Sequence, residues 1–181
     1  MTKGDLKPPI WKDEQMTLAE LILPEYDQEM ANTRKVLERV PNDRFDWKAH
    51  AKANSIGWVV SHLVEIPSWS EGTLQGDSWE IAPVGGEPYK TPIVTSREEA
   101  LQKFDLNVAA GRKQIAATSD EVFHQSWSLL MGGQPVLTLP KLGVIRSWVL
   151  NHSIHHRAFL LSYLRLLEIP VPGMYGPSGD E

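Results

Sequence analysis

Six histidines occur in this 181-residue chain, His50, His62, His124, His152, His155 and His156, and there is no cysteine. Disulfide, thiolate-nucleophile and redox-switch chemistry is therefore excluded, and any metal has to be held by nitrogen and oxygen. His152 and His156 are spaced i, i+4. On a helix this puts both imidazoles on one face, with Cβ atoms about 5–6 Å apart, so that two rings can converge on one ion. His62 falls on the apolar stripe Val59, Leu63 and Ile66 of another helical segment. If the two helices face each other, His62 supplies a third nitrogen. Three protein ligands with the remaining positions open is the pattern of a catalytic metal site. The plainer reading makes the same residues hydrogen-bonded core histidines without a metal. Two imidazoles on one apolar stripe are costly to bury with nothing to coordinate or donate to, which favours the metal.

The neighbours of these residues leave alternatives open. His155 lies on the flank of the stripe and could replace His156 at i, i+3 spacing from His152, or be a partly exposed neighbour. Glu65, three residues after His62, could orient an imidazole or act as a base; otherwise it is a solvated glutamate. His50 and His124 fall in loops and read as exposed. Other chemistries find no motif. His-Glu-x-x-His, paired Glu-x-x-His on two helices and Gly-x-Ser-x-Gly are all absent, and neither Gly85-Gly86 nor Gly132-Gly133 makes a phosphate loop. Of seven tryptophans, Trp58, Trp69, Trp127 and Trp148 lie in or beside the proposed helices, where core burial accounts for them before ligand stacking does.

The elements that must position these side chains follow from periodicity. Leu18, Ile22, Tyr26, Met30, Thr33, Leu37 and Val40 recur at three- and four-residue steps and predict an amphipathic helix over about 18–40. Pro24 suits a first turn, so its regular part is expected nearer Leu23, and Pro41-Asn42-Asp43 closes it. Asn54 or Ser55 caps the His62 helix, which Pro67 ends or bends. The Pro- and Gly-rich stretch from Gly72 to Thr95 reads as a long connection that crosses the fold or covers a site. Ser96-Arg97-Glu98-Glu99 is a capping box opening a helix that carries Leu101, Phe104, Val108 and Ile115. Residues 120–140 read as a small hairpin or ordered loop. The last helix, about Leu142 to Glu168, gathers Ile145, Val149, His152, His156, Phe159, Tyr163 and Leu167 on its core stripe. Leu150, Ile154 and Leu161 lie on the opposite side, which should be covered by a loop or a second subunit.

Size and charge limit the functional classes. The length fits one domain over 1–181, with residues 1–15 a loosely attached leader and 169–181 an extended tail. Eighteen basic against twenty-three acidic residues give a net charge of −5, which argues against nucleic acid as the main partner. Charges interrupt the first twenty residues, and no run approaches the roughly 18 apolar residues a bilayer span needs. The chain reads as soluble and cytoplasmic, with no membrane partner.

Several segments together resemble the DinB family, the DinB/YfiT-like metalloenzymes. They are Asn151-His152-Ser153-Ile154-His155-His156-Arg157, Tyr163-Leu164-Arg165, and Pro170-Val171-Pro172-Gly173-Met174-Tyr175-Gly176-Pro177-Ser178. Glu29-Met30-Ala31-Asn32-Thr33-Arg34, Phe45-Asp46-Trp47-Lys48 and Ser61-His62-Leu63-Val64-Glu65-Ile66-Pro67 add to them. The likeness runs from about residue 17 onward. It implies a four-helix bundle of up-down-down-up topology, frequent homodimers, and a divalent metal held by one histidine of the second helix and two of the last, here His62, His152 and His156. Relatives include thiol-dependent transferases, a maleylpyruvate isomerase and metal-dependent hydrolases. Where relatives continue His-Arg-Gly-Gln, this chain has His156-Arg157-Ala158-Phe159, so an apolar ring replaces a hydrogen-bonding side chain beside the ligands.

The expectation is thus an all-α four-helix bundle with one divalent ion on His62, His152 and His156. Zinc or nickel suits neutral imidazoles, and iron or manganese also fits. Such a site would serve hydrolysis or thiol-dependent transfer on a small-molecule substrate in a homodimer. The alternative is a non-catalytic, metal-stabilised binding or stress-response module.

Overall fold

The computed structural model describes residues 16–181, so the expected leader over 1–15 lies outside the described residues. Helix α1 spans Leu18–Leu37. Thr17 and Glu20 form a reciprocal capping box, so the helix starts at Leu18 and runs through Pro24 rather than beginning near Leu23. Two satisfied backbone donors at the first turn hold the start that Pro24 made doubtful. Ser55 caps α2, Ile56–Glu65. A 3₁₀ turn over Ile66–Ser68 bends the chain at Pro67 and leads directly into α3, Trp69–Gln75. Helix α4 covers Arg97–Ala117; Ser96 caps it by accepting from the Glu99 N–H, but the Glu99 carboxylate reaches back to the N–H of Thr95 and not to that of Ser96, so only half of the expected capping box forms.

Strand β1, Ser78–Glu80, lies inside the stretch expected to be irregular. After the short α5, Asp120–His124, come β2, Ser126–Met131, and β3, Gln134–Pro140. The hairpin expectation holds, but the fold is not all-α. The three strands form one sheet in the order β1-β2-β3, with β1 parallel and β3 antiparallel to β2. Gly132 and Gly133 adopt φ of 61° and 74°, the left-handed pair a two-residue hairpin turn requires. The Glu80 carboxylate accepts the N–H groups of Gly132 and Gly133 at 3.2 and 2.7 Å and so ties β1 to that turn.

The last helical segment begins with α6, Lys141–Val144, passes through a π-helical stretch over Ile145–Asn151, and becomes α7, His152–Leu166. The wide π turns, closing i to i+5, carry both Val149 and Leu150 inward. Both are fully buried in the core of this chain. Leu150, expected on the opposite side of this helix under a loop or a second subunit, is therefore covered by the chain's own fold. Ile154, which follows the π stretch, stays half-buried.

The main core joins α1, α2, α4 and α7, with Tyr26, Met30, Phe104, Ile115 and Leu164 among its buried side chains. Ion pairs Asp27–Arg112 and Arg34–Asp105 link α1 to α4, while Glu25–Arg146 and Glu29–Arg157 link α1 to the last helical segment. Asn107 of α4 donates to the Val64 carbonyl of α2 at 2.8 Å. A second, smaller apolar cluster sits under the sheet around Trp127, Leu129 and Val144. The non-helical tail folds back, Asp180 accepting from Arg165 at 2.9 and 2.6 Å and from the Val171 N–H at 2.8 Å. None of the described helices is long and apolar enough to cross a membrane.

Candidate metal centre

Helices α2 and α7 do face each other, and their contact brings the three singled-out histidines together. One nitrogen from each of His62, His152 and His156 lies within 4.8 Å of the other two. His62 Nε2 is 2.9 Å from His152 Nε2, so one ring donates to the other. The i, i+4 pair of α7 meets His62 because Val59, Leu63 and Ile66 on the same stripe of α2 are buried in the core.

Burial sets the protonation of this cluster. Desolvation, reinforced by neighbouring imidazoles, pushes His62 down to about 4 and His156 to about 3, and lowers His152 as well. All three are neutral near pH 7, the form in which imidazole offers a lone pair to a metal. The buried Nδ1 of His156 has no protein partner. Three convergent neutral imidazoles, with one ring nitrogen of His156 left without a partner, fit a divalent transition ion. A structural core would be expected to satisfy that atom.

The rings are held on several sides. Trp58 stacks on His62 with centroids 4.8 Å apart and planes 26° apart. Trp148 lies parallel to His152 at 5.9 Å. Trp69 meets both His62 and His152, at 5.4 and 5.6 Å. Thr91 Oγ1, from the segment between β1 and α4, is 3.4 Å from His62 Nδ1. With its proton on Nδ1, His62 can donate to Thr91 and keep Nε2 unprotonated, the acceptor in its contact with His152. Glu65 is buried rather than solvated. Its Oε2 lies 3.9 Å from His62 Nδ1, and desolvation raises its carboxyl above the usual range.

The remaining candidates lie elsewhere. His155 is exposed, its ring 5.1 Å from that of His156. His50 and His124 are exposed and do not belong to the three-histidine cluster. Phe159, expected on the core stripe, borders the site without entering the core: its ring lies 4.6 Å from that of His155 and 6.0 Å from that of His156, and it is 43% exposed.

Sequence reasoning missed the cavity beside the histidines. A pocket of about 220 Å³ opens among Trp69, Trp79, Trp127 and Trp148. Trp69 and Trp148 line the pocket and also contact His152. The four indoles come from α3, β1, β2 and the π stretch, elements whose meeting no local periodicity reveals. The excess of tryptophan was the one available signal.

Arg157, next to His156, is 1% exposed. It donates to Glu29 Oε2 at 2.6 Å, the Glu29 carbonyl at 2.9 Å, Thr33 Oγ1 at 3.3 Å and the Tyr175 hydroxyl at 2.8 Å. Tyr175 in turn donates to Glu29 Oε2 at 2.8 Å. This network joins α1, α7 and the tail directly behind the histidine-bearing turn.

Comparison with known proteins agrees with this architecture. A DinB-like protein from Bacillus cereus superposes with a TM-score of 0.68 at 21% identity, covering 88% of this chain and 98% of its own. The DinB-like protein YjoA from Bacillus subtilis gives a TM-score of 0.64 at 12% identity, with coverage of 85% and 96%. No curated protein matches the chain. The DinB superfamily model matches residues 25–160, a span that holds the three histidines and the helices presenting them, and the chain belongs to the DinB superfamily.

Proposed function

We propose that this protein is a metal-dependent enzyme that binds one divalent ion, zinc or nickel foremost, on His62, His152 and His156 and acts on a small molecule by hydrolysis or thiol-dependent transfer. The observation that carries this reading is the convergence of three neutral imidazole nitrogens within 4.8 Å beside an open cavity. A divalent ion held there would polarise a substrate carbonyl or increase the acidity of a water or thiol. The chain's own residues do the rest. Burial keeps the ligands unprotonated, while Trp58 and Trp148 fix two ring planes by stacking. Thr91 Oγ1, 3.4 Å from His62 Nδ1, can accept a hydrogen bond from that N–H, and the carboxyl of Glu65, raised by burial, lies 3.9 Å from the same nitrogen.

The adjoining cavity favours catalysis over a purely bracing metal, since a structural ion is normally closed off by four protein ligands. An up-down-down-up helix order is supported by the ion pairs. Those between α1 and α4 run in opposite senses, those between α1 and the last helical segment in the same sense. We also propose a cytoplasmic location and, following the family resemblance, a homodimer.

Elemental analysis by plasma mass spectrometry on tag-free protein tests the reading. The wild type should carry about one equivalent of a single transition metal, and His152→Ala should lose it. Metal-restored protein should then turn over a substrate in a hydrolase and thiol-transferase screen. No metal in the wild type after incubation with zinc or nickel would overturn the site, and metal without turnover would leave the bracing role.

A further inference from the structure

The tryptophan-lined cavity shares two of its walls, Trp69 and Trp148, with the histidines. None of the side chains lining it is charged. Its polar side-chain groups are the hydroxyls of Ser68, Thr73 and Ser78 and the indole N–H groups, of which those of Trp69 and Trp127 are buried without a hydrogen-bond partner. A charged ligand group would lose its hydration there without a counter-charge, which is costly. Indole faces and edges, by contrast, gain from offset or edge-to-face contact with another flat ring. Size narrows the choice further. An apolar cavity of about 150 Å³ takes up benzene, so the roughly 220 Å³ here has room for a bicyclic ring of indole or naphthalene size.

The sheet gives this cavity its outer wall. Trp79 stands on β1 and Trp127 on β2, and the parallel pairing of these strands, Ser78 opposite Ser128 and Trp79 opposite Leu129, sets both indoles against Trp69 and Trp148. The Glu80 carboxylate, bound to the hairpin turn, and buried Lys141, 3.2 Å from Asp77, secure β1 at either end.

We propose that this cavity is the substrate-recognition site, and that it receives an uncharged, flat apolar group, a mono- or bicyclic aromatic ring, whose reactive end extends past Trp69 and Trp148 to the three histidines. The assignment of the reactive end rests on the metal-site reading above. The ring site itself does not.

Gly72 provides a clean test. It lines the cavity, and a Cβ built on it meets nothing within 4 Å. Gly72→Leu therefore puts a side chain into open space and favours helix α3, leaving the histidines untouched. Calorimetric titration of metal-free protein with indole should show binding to the wild type, weakened at least tenfold by Gly72→Leu. Absence of indole binding, or equal binding by the variant, would overturn the ring site. Tighter binding of phenyltrimethylammonium than of indole would overturn its preference for an uncharged group.

Zinc-loaded protein tests the connection. 2-Naphthohydroxamate, which carries both a ring and a chelating end, should bind at least tenfold tighter than acetohydroxamate, and Gly72→Leu should abolish that gain while leaving acetohydroxamate binding unchanged. Equal affinities would refute the connection between cavity and histidines. Failure of the metal reading appears separately, as absence of zinc by plasma mass spectrometry, and leaves the indole titration as the test of the cavity.

Discussion

At His62, His152 and His156 the physical conflict is between burial and charge. Burial lowers the proton affinity of all three rings below the ordinary histidine value, to about 4 for His62 and about 3 for His156. In the unfolded chain they titrate near 6.5. The unfolded state therefore takes up protons first as pH falls, and stability must fall with it. The groups facing the cluster are His155 and Glu65. Glu65 acts in the opposite sense because burial raises its carboxyl, but it is one group against three. Metal-stripped protein should show a urea midpoint that is constant above about pH 7 and declines from about pH 6.5 towards pH 4. A midpoint unchanged between pH 7.5 and pH 5 would contradict this account. Behind the site, Glu29→Ala would leave Arg157 buried without its carboxylate. Breaking such a pair costs about 3–5 kcal/mol, to be read from equilibrium denaturation. Restoring a charge partner by Glu29→Asp should recover part of the loss.

Among the elements, α4 approaches α1 and the Pro67 bend most closely at Gly111. A Cβ there would lie 2.6 Å from the Tyr26 hydroxyl and 2.7 Å from the Pro67 carbonyl oxygen. The carbonyl belongs to backbone and cannot swing away as a long side chain would. Gly111→Ala should therefore destabilise the fold by about 1–3 kcal/mol despite the better helix propensity of alanine, and thermal denaturation measures the difference. Thr17→Ala removes a capping hydroxyl and should cost about 1 kcal/mol. The π stretch works differently. It turns Leu150 into the core and still delivers His152 to the face of α2, so the chain ahead of the ligands is set by π turns and the ligands themselves by α turns. Such π segments recur at functional sites.

For the molecule as a whole, the proposed homodimer needs an apolar face not consumed by the chain's own core. Leu150 is consumed by it, and Leu161 is half-buried against it. Ile154 stays half-buried outside the core clusters. Ile154→Glu should shift the elution volume from dimer to monomer without loss of helical circular dichroism. An unchanged elution volume would remove this face from the dimer, and Leu150→Glu should instead unfold the chain.

Much of the fold and of the site was legible in short-range pattern. The i, i+4 histidines, the apolar stripe carrying His62, the Ser96 cap and the core positions of α1 and α4 are local properties, because helix periodicity and caps involve residues three or four apart. Local pattern also marked residues 120–140 as a small hairpin or ordered loop. It misled at Pro24, where an unrecognised Thr17–Glu20 box holds the helix start, and at Leu150, where a strict 100° rotation cannot anticipate π turns. The parallel pairing of β1 with β2, the burial of Glu65 and the meeting of four tryptophans around one cavity were decided by tertiary structure alone. Each depends on which distant segments pack together, and a residue's own neighbours in the chain do not encode that.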